Sequence, residues 1–439
     1  MAPPRLSGKL HVVLNGRNVG ILERASSGAI SFVYSEDWLD WRNAFPISLS
    51  LKLRRQKYIG APVAAVFENL LPDNDVIRKR LAERTGAINT DAFSLLSKIG
   101  RDCVGALQFV PIDEPIEEVG YIRGNELNNA EIAQLLRELR TNPLGITMGD
   151  DRDFRISIAG AQEKTALLFS DGLWQEPIGA TATTHILKPR IGKLPNGLDM
   201  TESVENEHFC MRLCSALGLP VAQTEILDFE DIRVLSVERF DRSWTKDGRL
   251  LRLPQEDFCQ ALSVPPAQKY NSEGGPGIVE CLRLLKTSDR PDEDQRLFLK
   301  SQIVFWMMAA TDGHAKNFSV FLRPGGRFRM TPLYDVLSAQ PNYVAGELRR
   351  RDLKLAMAAG DSRYYALSRI HPRHFAQSAK AAALSTNLAI EIYEEIQLSL
   401  DGALQETIRS MPDGFPVRLA EAIGLGMRER AAAIVGNMN

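Results

Sequence analysis

"TDGHAKNFSV", Thr311 to Val320, sets an aspartate, a histidine, a lysine and an asparagine in one short loop directly behind the apolar run "IVFWMMAA". A carboxylate followed five residues later by an asparagine, then by a β-hairpin pattern and a second aspartate in "LYDVLS", is an arrangement that phosphoryl transfer can use. Asp312 would orient or deprotonate a hydroxyl nucleophile. Asn317 would offer a neutral oxygen, and Asp335 an anionic one, to the same magnesium ion. The step from Asp312 to Asn317 equals that between the aspartate and asparagine of a protein-kinase catalytic loop. Taken alone the string is as readily a polar loop capping a helix, because Asp, Gly and Asn are ordinary turn residues. Lys316 and His314 are open to phosphate contact or to plain structural roles.

The upstream pattern bears on that choice. "IAGAQEK" lies between the strand patterns "FRIS" and "TALLF", where a kinase carries a flexible loop over its nucleotide. Ala159, Gly160, Ala161, Gln162, Glu163 and Lys164 are therefore nucleotide-binding candidates. The loop is not a Walker A motif, since Glu163 rather than glycine precedes Lys164 and a strand rather than a helix follows. Lys188 in "THILKPR" occupies a later strand, as the phosphate-pairing lysine of a kinase does, and Glu205 or Glu207 on the helical stretch "ESVENEHFCMRLCSALGLP" is its expected partner. Glu238-Arg239-Phe240 ends the last strand and reads as a hinge between lobes, with backbone groups reading adenine. Each element has a plain alternative: a hairpin loop, an exposed strand lysine, glutamates serving a helix dipole, a core phenylalanine. Their order along the chain is the order found in kinases.

At 439 residues the chain exceeds one ordinary core. A small mixed domain is expected over 1–145, a strand-rich lobe over 146–242 and a helical lobe over 243–439. Asn15-Gly16 and Ser170-Asp171-Gly172 are hairpin turns between apolar runs, and Pro72 interrupts an amphipathic stretch. After Arg242 the helical period dominates, with one strand-like interruption turning at Pro324-Gly325-Gly326. Hydrophobic residues make up 44% and charged residues 25%, a globular composition. The net charge of −2 gives no long-range pull toward nucleic acid or an anionic membrane. Cys103, Cys210, Cys214, Cys259 and Cys281 are odd in number, widely spaced and free of any C-x-x-C pair, which predicts neither a disulfide framework nor a zinc site. The first residues lack a signal-peptide pattern and "IVFWMMAA" is too short to span a bilayer, so a cytoplasmic protein without membrane attachment is expected.

"RISIAGAQEKTALL", "THILKP", "VERFDR", "LPQEDFCQ", "GGPGI", "TDGHAKNFSV" and "LYDVLSA" resemble the HipA family of serine/threonine kinase toxins of bacterial toxin-antitoxin modules. So do "PISLSL", "FENLLPD" and "LLSKIGRDCVGALQF" near the start, so the resemblance spans nearly the whole chain. It implies an α+β, two-lobed kinase-like fold with an added N-terminal α/β subdomain. By residue, it implies Asp312 as the catalytic aspartate, Asn317 and Asp335 as magnesium ligands, Lys188 as the ATP-contacting lysine, and Glu238 and Phe240 as the hinge. Ser157 matches the serine such kinases autophosphorylate, which expels the loop from the nucleotide site and inactivates the enzyme. About two negative charges beside a phosphate-binding loop would repel ATP. The family's usual partner is a small helix-turn-helix antitoxin, HipB-like, which carries most of the affinity for operator DNA. Arg349-Arg350-Arg351 is a candidate for added phosphate contacts or simply a solvated surface. Members phosphorylate translation components, notably an aminoacyl-tRNA synthetase, glutamate-tRNA ligase. "VPPAQKYNSEGGPGI" is a candidate for a mobile loop near the protein substrate or, equally open, a plain interlobe loop.

Two other readings are a silent antitoxin-binding corepressor and a small-molecule kinase. The joint presence of Asp312, Asn317, Asp335 and Lys188 speaks against the first, and the resemblance of the N-terminal domain against the second.

Overall fold

The computed structural model describes residues 8–118, 120–141 and 164–435. It is α+β, and its contacts divide it into two compact units. The first comprises Met1–Pro189, Leu227–Ala267 and Val320–Phe328, and the second Arg190–Ile226, Gln268–Ser319 and Arg329–Asn439. The divisions expected at 145 and 242 both fall inside the first unit.

The first unit begins with the hairpin Gly8–Leu14 and Arg17–Arg24. Asn15 and Gly16 make its turn with φ of 45° and 78°, the left-handed pair that matches the twist of the strands. Ile30–Tyr34, Tyr58–Ile59 and Leu107–Pro111 complete a five-stranded sheet. The helix Ala61–Glu68 packs Phe67 edge-on against Phe32 and Phe109 of that sheet, with ring centroids 5.9 and 5.6 Å away. The expected break at Pro72 occurs, and the Asn74 side chain then caps the helix Asp75–Thr85 by accepting from the N–H groups of Val76 and Ile77.

A six-stranded sheet runs in the order Thr224–Phe229, Ile232–Glu238, His185–Pro189, Thr165–Ser170, Leu173–Pro177 and Gly124–Leu127. The second predicted hairpin supplies its fourth and fifth strands, with Asp171 at φ 53° and Gly172 at 79°. Ile132, Ala133, Leu136 and Leu139 of the helix Asn129–Thr141 pack on Leu167, Leu187 and Val234 of the sheet. Gly124 to Thr141 thus shares a core with the second sheet rather than the first.

A buried ionic cluster unites the two halves of this unit. Asp102 accepts from Arg252 Nε at 2.9 Å, from Arg242 Nη2 at 3.2 Å and from Thr183 Oγ1 at 3.0 Å. Asp241 takes Arg239 in a two-pronged pair of 2.9 and 2.8 Å and also accepts from the Gly105 N–H at 2.9 Å. Burial alone would raise the Asp241 carboxyl. Arg239 and Arg242 outweigh it and hold the group at about 2. Three arginines and two aspartates are thereby packed where "VERFDR" had suggested a hinge alone.

Glu256 makes a second link, accepting from the Leu49 N–H at 2.7 Å. Burial pushes its carboxyl up to about 8, against the opposing pull of the Leu49 N–H and Ser48. The folded chain therefore keeps a proton that an unfolded one, at the ordinary value of 4.5, has released. This contribution to stability is full below the unfolded value and is lost as pH rises through the folded one. Glu256→Gln is expected to flatten the pH dependence of the urea midpoint across that window. Parallel pH profiles for the parent and the variant would refute the assignment.

The second unit is mainly helical: Ser203–Ala216, Ile278–Leu285, Pro291–Met308, Pro372–Ala381, Thr386–Arg409 and Val417–Val435. Trp306, Phe375 and Tyr393 form its aromatic centre. The expectation of a single strand-like interruption after Arg242 needs correction. The hairpin Ser319–Arg323 and Arg327–Met330 is present. Arg242–Trp244, Leu250–Arg252, Gln255–Asp257, Lys354–Ala359 and Tyr364–Ala366 are strands as well. The first three are too short to carry a period. "KLAMAA" is built of good helix formers that tertiary packing overrides. The five cysteines are buried and none forms a disulfide. Among the described residues, no helix is long and apolar enough to cross a membrane.

Candidate active site

The helix Pro291–Met308 is buried along most of its last three turns, so its end is a fixed point. Ala309 stops it at φ 57°, a left-handed conformation that costs a residue with a Cβ roughly 1–2 kcal/mol. Its N–H and that of Ala310 close back on the Phe305 and Trp306 carbonyls. The loop that follows needs a glycine, because a Cβ at Gly313 would lie 2.6 Å from the Phe305 ring.

Within the loop the Asp312 carbonyl is the organising acceptor. It takes the His314 N–H at 2.8 Å and Asn317 Nδ2 at 2.8 Å. The short 3-10 turn Ala315–Asn317 closes this ring, which explains the five-residue step physically. The amide nitrogen of Asn317 is thus engaged, and its oxygen is the atom left as a metal donor. The Asp312 carboxylate is solvent-exposed and accepts from Tyr270 Oη at 2.6 Å. Tyr270 also sets its ring edge-on to the buried His314, centroids 5.0 Å apart. Burial lowers the His314 pKa, opposed first by Asp312 and, after the like-signed effect of Lys269, by Asp335. Tyr334, the residue before Asp335, donates its hydroxyl to the Lys316 carbonyl inside the loop, so the structure brings the Asp335 segment to the loop of Asp312 and Asn317.

Asp335 is held with unusual thoroughness. Its φ of 61° is left-handed. Tyr334 Oη donates to the Lys316 carbonyl at 2.8 Å and lies 2.6 Å from Ser319 Oγ. Downstream, Ser338 Oγ donates to the Met308 carbonyl at 2.5 Å. Asn206 grips the Ser338 backbone twice, donating from Nδ2 to its carbonyl at 2.8 Å and accepting its N–H on Oδ1 at 2.9 Å. A non-glycine residue persists in this region when its surroundings over-determine it, as they do here.

An oxygen set of one amide and one carboxylate suits magnesium, which keeps waters and phosphate oxygens as its other ligands. Among the described residues no group of three or more His, Cys, Asp or Glu could hold a metal ion, so a closed all-protein metal centre is not the arrangement present.

Lys164, Lys188, Glu238 and Phe240 lie in the first unit. Lys188 is buried on His185–Pro189, opposite Leu235. Glu238 is exposed at the end of Ile232–Glu238 opposite His185, and the Arg239 N–H extends the ladder to the Thr184 carbonyl at 2.8 Å. Phe240 is half-buried, edge-on to Phe321 at 5.7 Å. Lys164 is half-buried just before Thr165–Ser170. Ser157, Ala159, Gly160, Ala161, Gln162 and Glu163 lie outside the described residues. Of the two helix glutamates, Glu205 accepts from Arg190 at 2.7 Å and Glu207 is buried. Arg349 pairs with Asp352 at 2.9 Å, and Arg351 lies 3.9 Å from the same carboxylate, so that patch is partly neutralised.

Sequence reasoning overlooked Tyr270, Tyr334 and Asn206. Tyr270 stands in the loop singled out as close to the substrate, which was the available signal. Nothing in the sequence alone marks the other two.

Comparison with known proteins gives a consistent picture. Residues 10–110 match the model of the HipA N-terminal domain, and residues 156–404 that of the HipA-like C-terminal domain. The putative kinase Y4mE of Sinorhizobium fredii is 40% identical over 333 residues, covering 75% of this chain and 77% of that one. The serine/threonine-protein kinase toxin HipA of Shewanella oneidensis is 27% identical, with 88% of this chain and 86% of that one covered. The solved complex of Shewanella oneidensis HipA with HipB and operator DNA contains a chain that superposes with a TM-score of 0.79 at 25% identity, over 97% of both chains.

Proposed function

The chain belongs to the HipA family of serine/threonine kinase toxins, and from that premise we propose that it transfers the terminal phosphoryl group of ATP to a serine or threonine hydroxyl of a protein. The observation that carries the reading is the closed ring from Asp312 to Asn317, to which Tyr334 ties the segment of Asp335. Tyr270 fixes one oxygen of the Asp312 carboxylate, and the other accepts the proton of the attacking hydroxyl. Burial lowers the His314 pKa and so disfavours a positive charge beside that base. Asn317 and Asp335 would hold magnesium, which when bound neutralises phosphate charge. Lys188 contacts the phosphates, and Glu238 and Phe240 flank adenine. The loop Ala159, Gly160, Ala161, Gln162, Glu163 and Lys164 covers the nucleotide.

The biological role follows from the family. The target is a translation component, an aminoacyl-tRNA synthetase such as glutamate-tRNA ligase, and its phosphorylation arrests growth. A small helix-turn-helix antitoxin restrains the kinase and supplies most contacts to operator DNA. The HipA, HipB and operator assembly of Shewanella oneidensis supports that partnership. Incubating the protein with labelled ATP, magnesium and a cell extract is expected to label one principal protein band. An unlabelled extract would overturn the kinase reading.

Ser157 is the proposed site of self-inactivation. Ser157→Ala is expected to abolish the main autophosphate and keep the enzyme active over prolonged incubation with ATP. Mass spectrometry that finds the principal autophosphate at another residue would reject the assignment.

A further inference from the structure

Beside the Asp312 loop the second unit contains a pocket of about 690 Å³. One wall is the strand pair Lys354–Ala359 and Tyr364–Ala366, and the other includes Tyr270 and Thr311. It therefore adjoins the proposed general base through two residues, the tyrosine that hydrogen-bonds Asp312 and the threonine that precedes it. Its lining contains three cationic side chains, Lys354, Arg363 and Arg369, and no carboxylate. Glu273 and Asp361, each next in sequence to a lining residue, are exposed and not part of the lining.

The two arginines are supported by aromatic and amide groups. Arg363 Nη2 donates to the Asn271 carbonyl at 3.1 Å and to Tyr365 Oη at 3.0 Å, while Tyr365 Oη donates to Asn271 Oδ1 at 3.1 Å. The Arg369 guanidinium lies 5.9 Å from the centre of the Tyr364 ring, which is stacked on His374 at 4.3 Å. A guanidinium held in this way loses less freedom when it pairs with a carboxylate.

We propose that this pocket selects the protein substrate by binding an acidic segment close to the phosphoacceptor residue. The inference rests on the kinase reading and adds a substrate class to it. A pocket of this volume is about 9 Å across, the length of roughly three residues of extended chain. That favours a short acidic peptide over nucleic acid, which a protein usually follows along a longer track of phosphates. The tyrosines suit a peptide backbone and its aliphatic stems.

The test uses the full chain and three serine peptides that differ only in whether glutamate, glutamine or lysine flanks the serine. The glutamate peptide is expected to exceed the lysine peptide in kcat/KM by about tenfold, mainly through KM, as two partly exposed ion pairs would give. The double variant Lys354→Glu/Arg369→Glu should lose or invert that order while its affinity for ATP stays unchanged. Equal kcat/KM for the three peptides, or a glutamate preference that survives in the double variant, would overturn the proposal. Anisotropy of a labelled glutamate peptide gives a readout that needs no phosphate transfer. If neither peptides nor cell extract are phosphorylated, the kinase reading fails, whereas peptide binding that disappears in the double variant still supports the pocket. Absence of binding overturns the pocket independently. Tighter binding of a labelled single-stranded oligonucleotide, also lost in the double variant, would replace the acidic peptide with nucleic acid.

Discussion

Asp312→Asn is expected to lower phosphate transfer by about 10²–10⁴-fold, the usual contribution of a positioned general base, and to leave folding and ATP affinity nearly unchanged. The expectation is sharp because the two roles of this residue are separable. Its carbonyl, which the substitution retains, holds the loop through the His314 N–H and Asn317 Nδ2. An asparagine oxygen can still accept from Tyr270 Oη, so the contact at 2.6 Å has a replacement. Only the basicity is lost. The measurement is the initial rate of transfer from labelled ATP, with nucleotide affinity from calorimetry and the thermal midpoint as controls. A rate near that of the parent would remove Asp312 from the role. A collapsed midpoint would mean that the carboxylate holds the loop together.

Asp102→Ala is expected to be among the most destabilising substitutions in the chain, at about 3–5 kcal/mol, the usual result of removing one partner from a buried ionic group. Asp102 is fully buried beneath Arg239, Arg242 and Arg252, and Asp241 would be left as the one carboxylate within the cluster. Desolvated guanidinium groups cannot shed their protons to escape, so the unit must admit water or loosen. Urea unfolding of the parent and variant measures the loss. Asp102→Asn, which keeps hydrogen-bond capacity but not charge, should fall between them. A loss below about 1 kcal/mol for the alanine variant would show the cluster to be solvated rather than dry.

These two residues also mark what could be read in advance. The Asp312 loop, the turns at Asn15-Gly16 and Asp171-Gly172 and the break at Pro72 are local devices, with their chemistry inside a few consecutive residues, and all four are visible in the sequence. Asp102 meets Arg242 and Arg252 across 140 and 150 positions, and no local pattern foretells that. Arg239 and Arg242 were therefore legible as neighbours of a hinge but not as parts of a buried ionic group. Lys354–Ala359 was hidden for another reason. Alanine, leucine and methionine favour helix in isolation, and the pairing of Lys354 with Ala366 and Ala359 with Tyr364 overrides them. Tyr270 had a partial signal, its loop having been marked as close to substrate, although its reach to Asp312 could not be inferred.

The clamp made by Asn206 has a bearing on how such a kinase could be switched. Asn206 stands on the same helix as Glu205 and Glu207, and its paired hydrogen bonds to Ser338 fasten that helix to the segment carrying Asp335. Through Ser338 the end of the central helix at Met308 is fastened as well. Many regulated kinases gain control by letting the glutamate-bearing helix swing apart from the metal-binding loop. Here the paired hydrogen bonds between Asn206 and Ser338 oppose that movement. An inhibitor designed to trap a swung-out helix would have to break both of these bonds, at about 0.5–1.5 kcal/mol each.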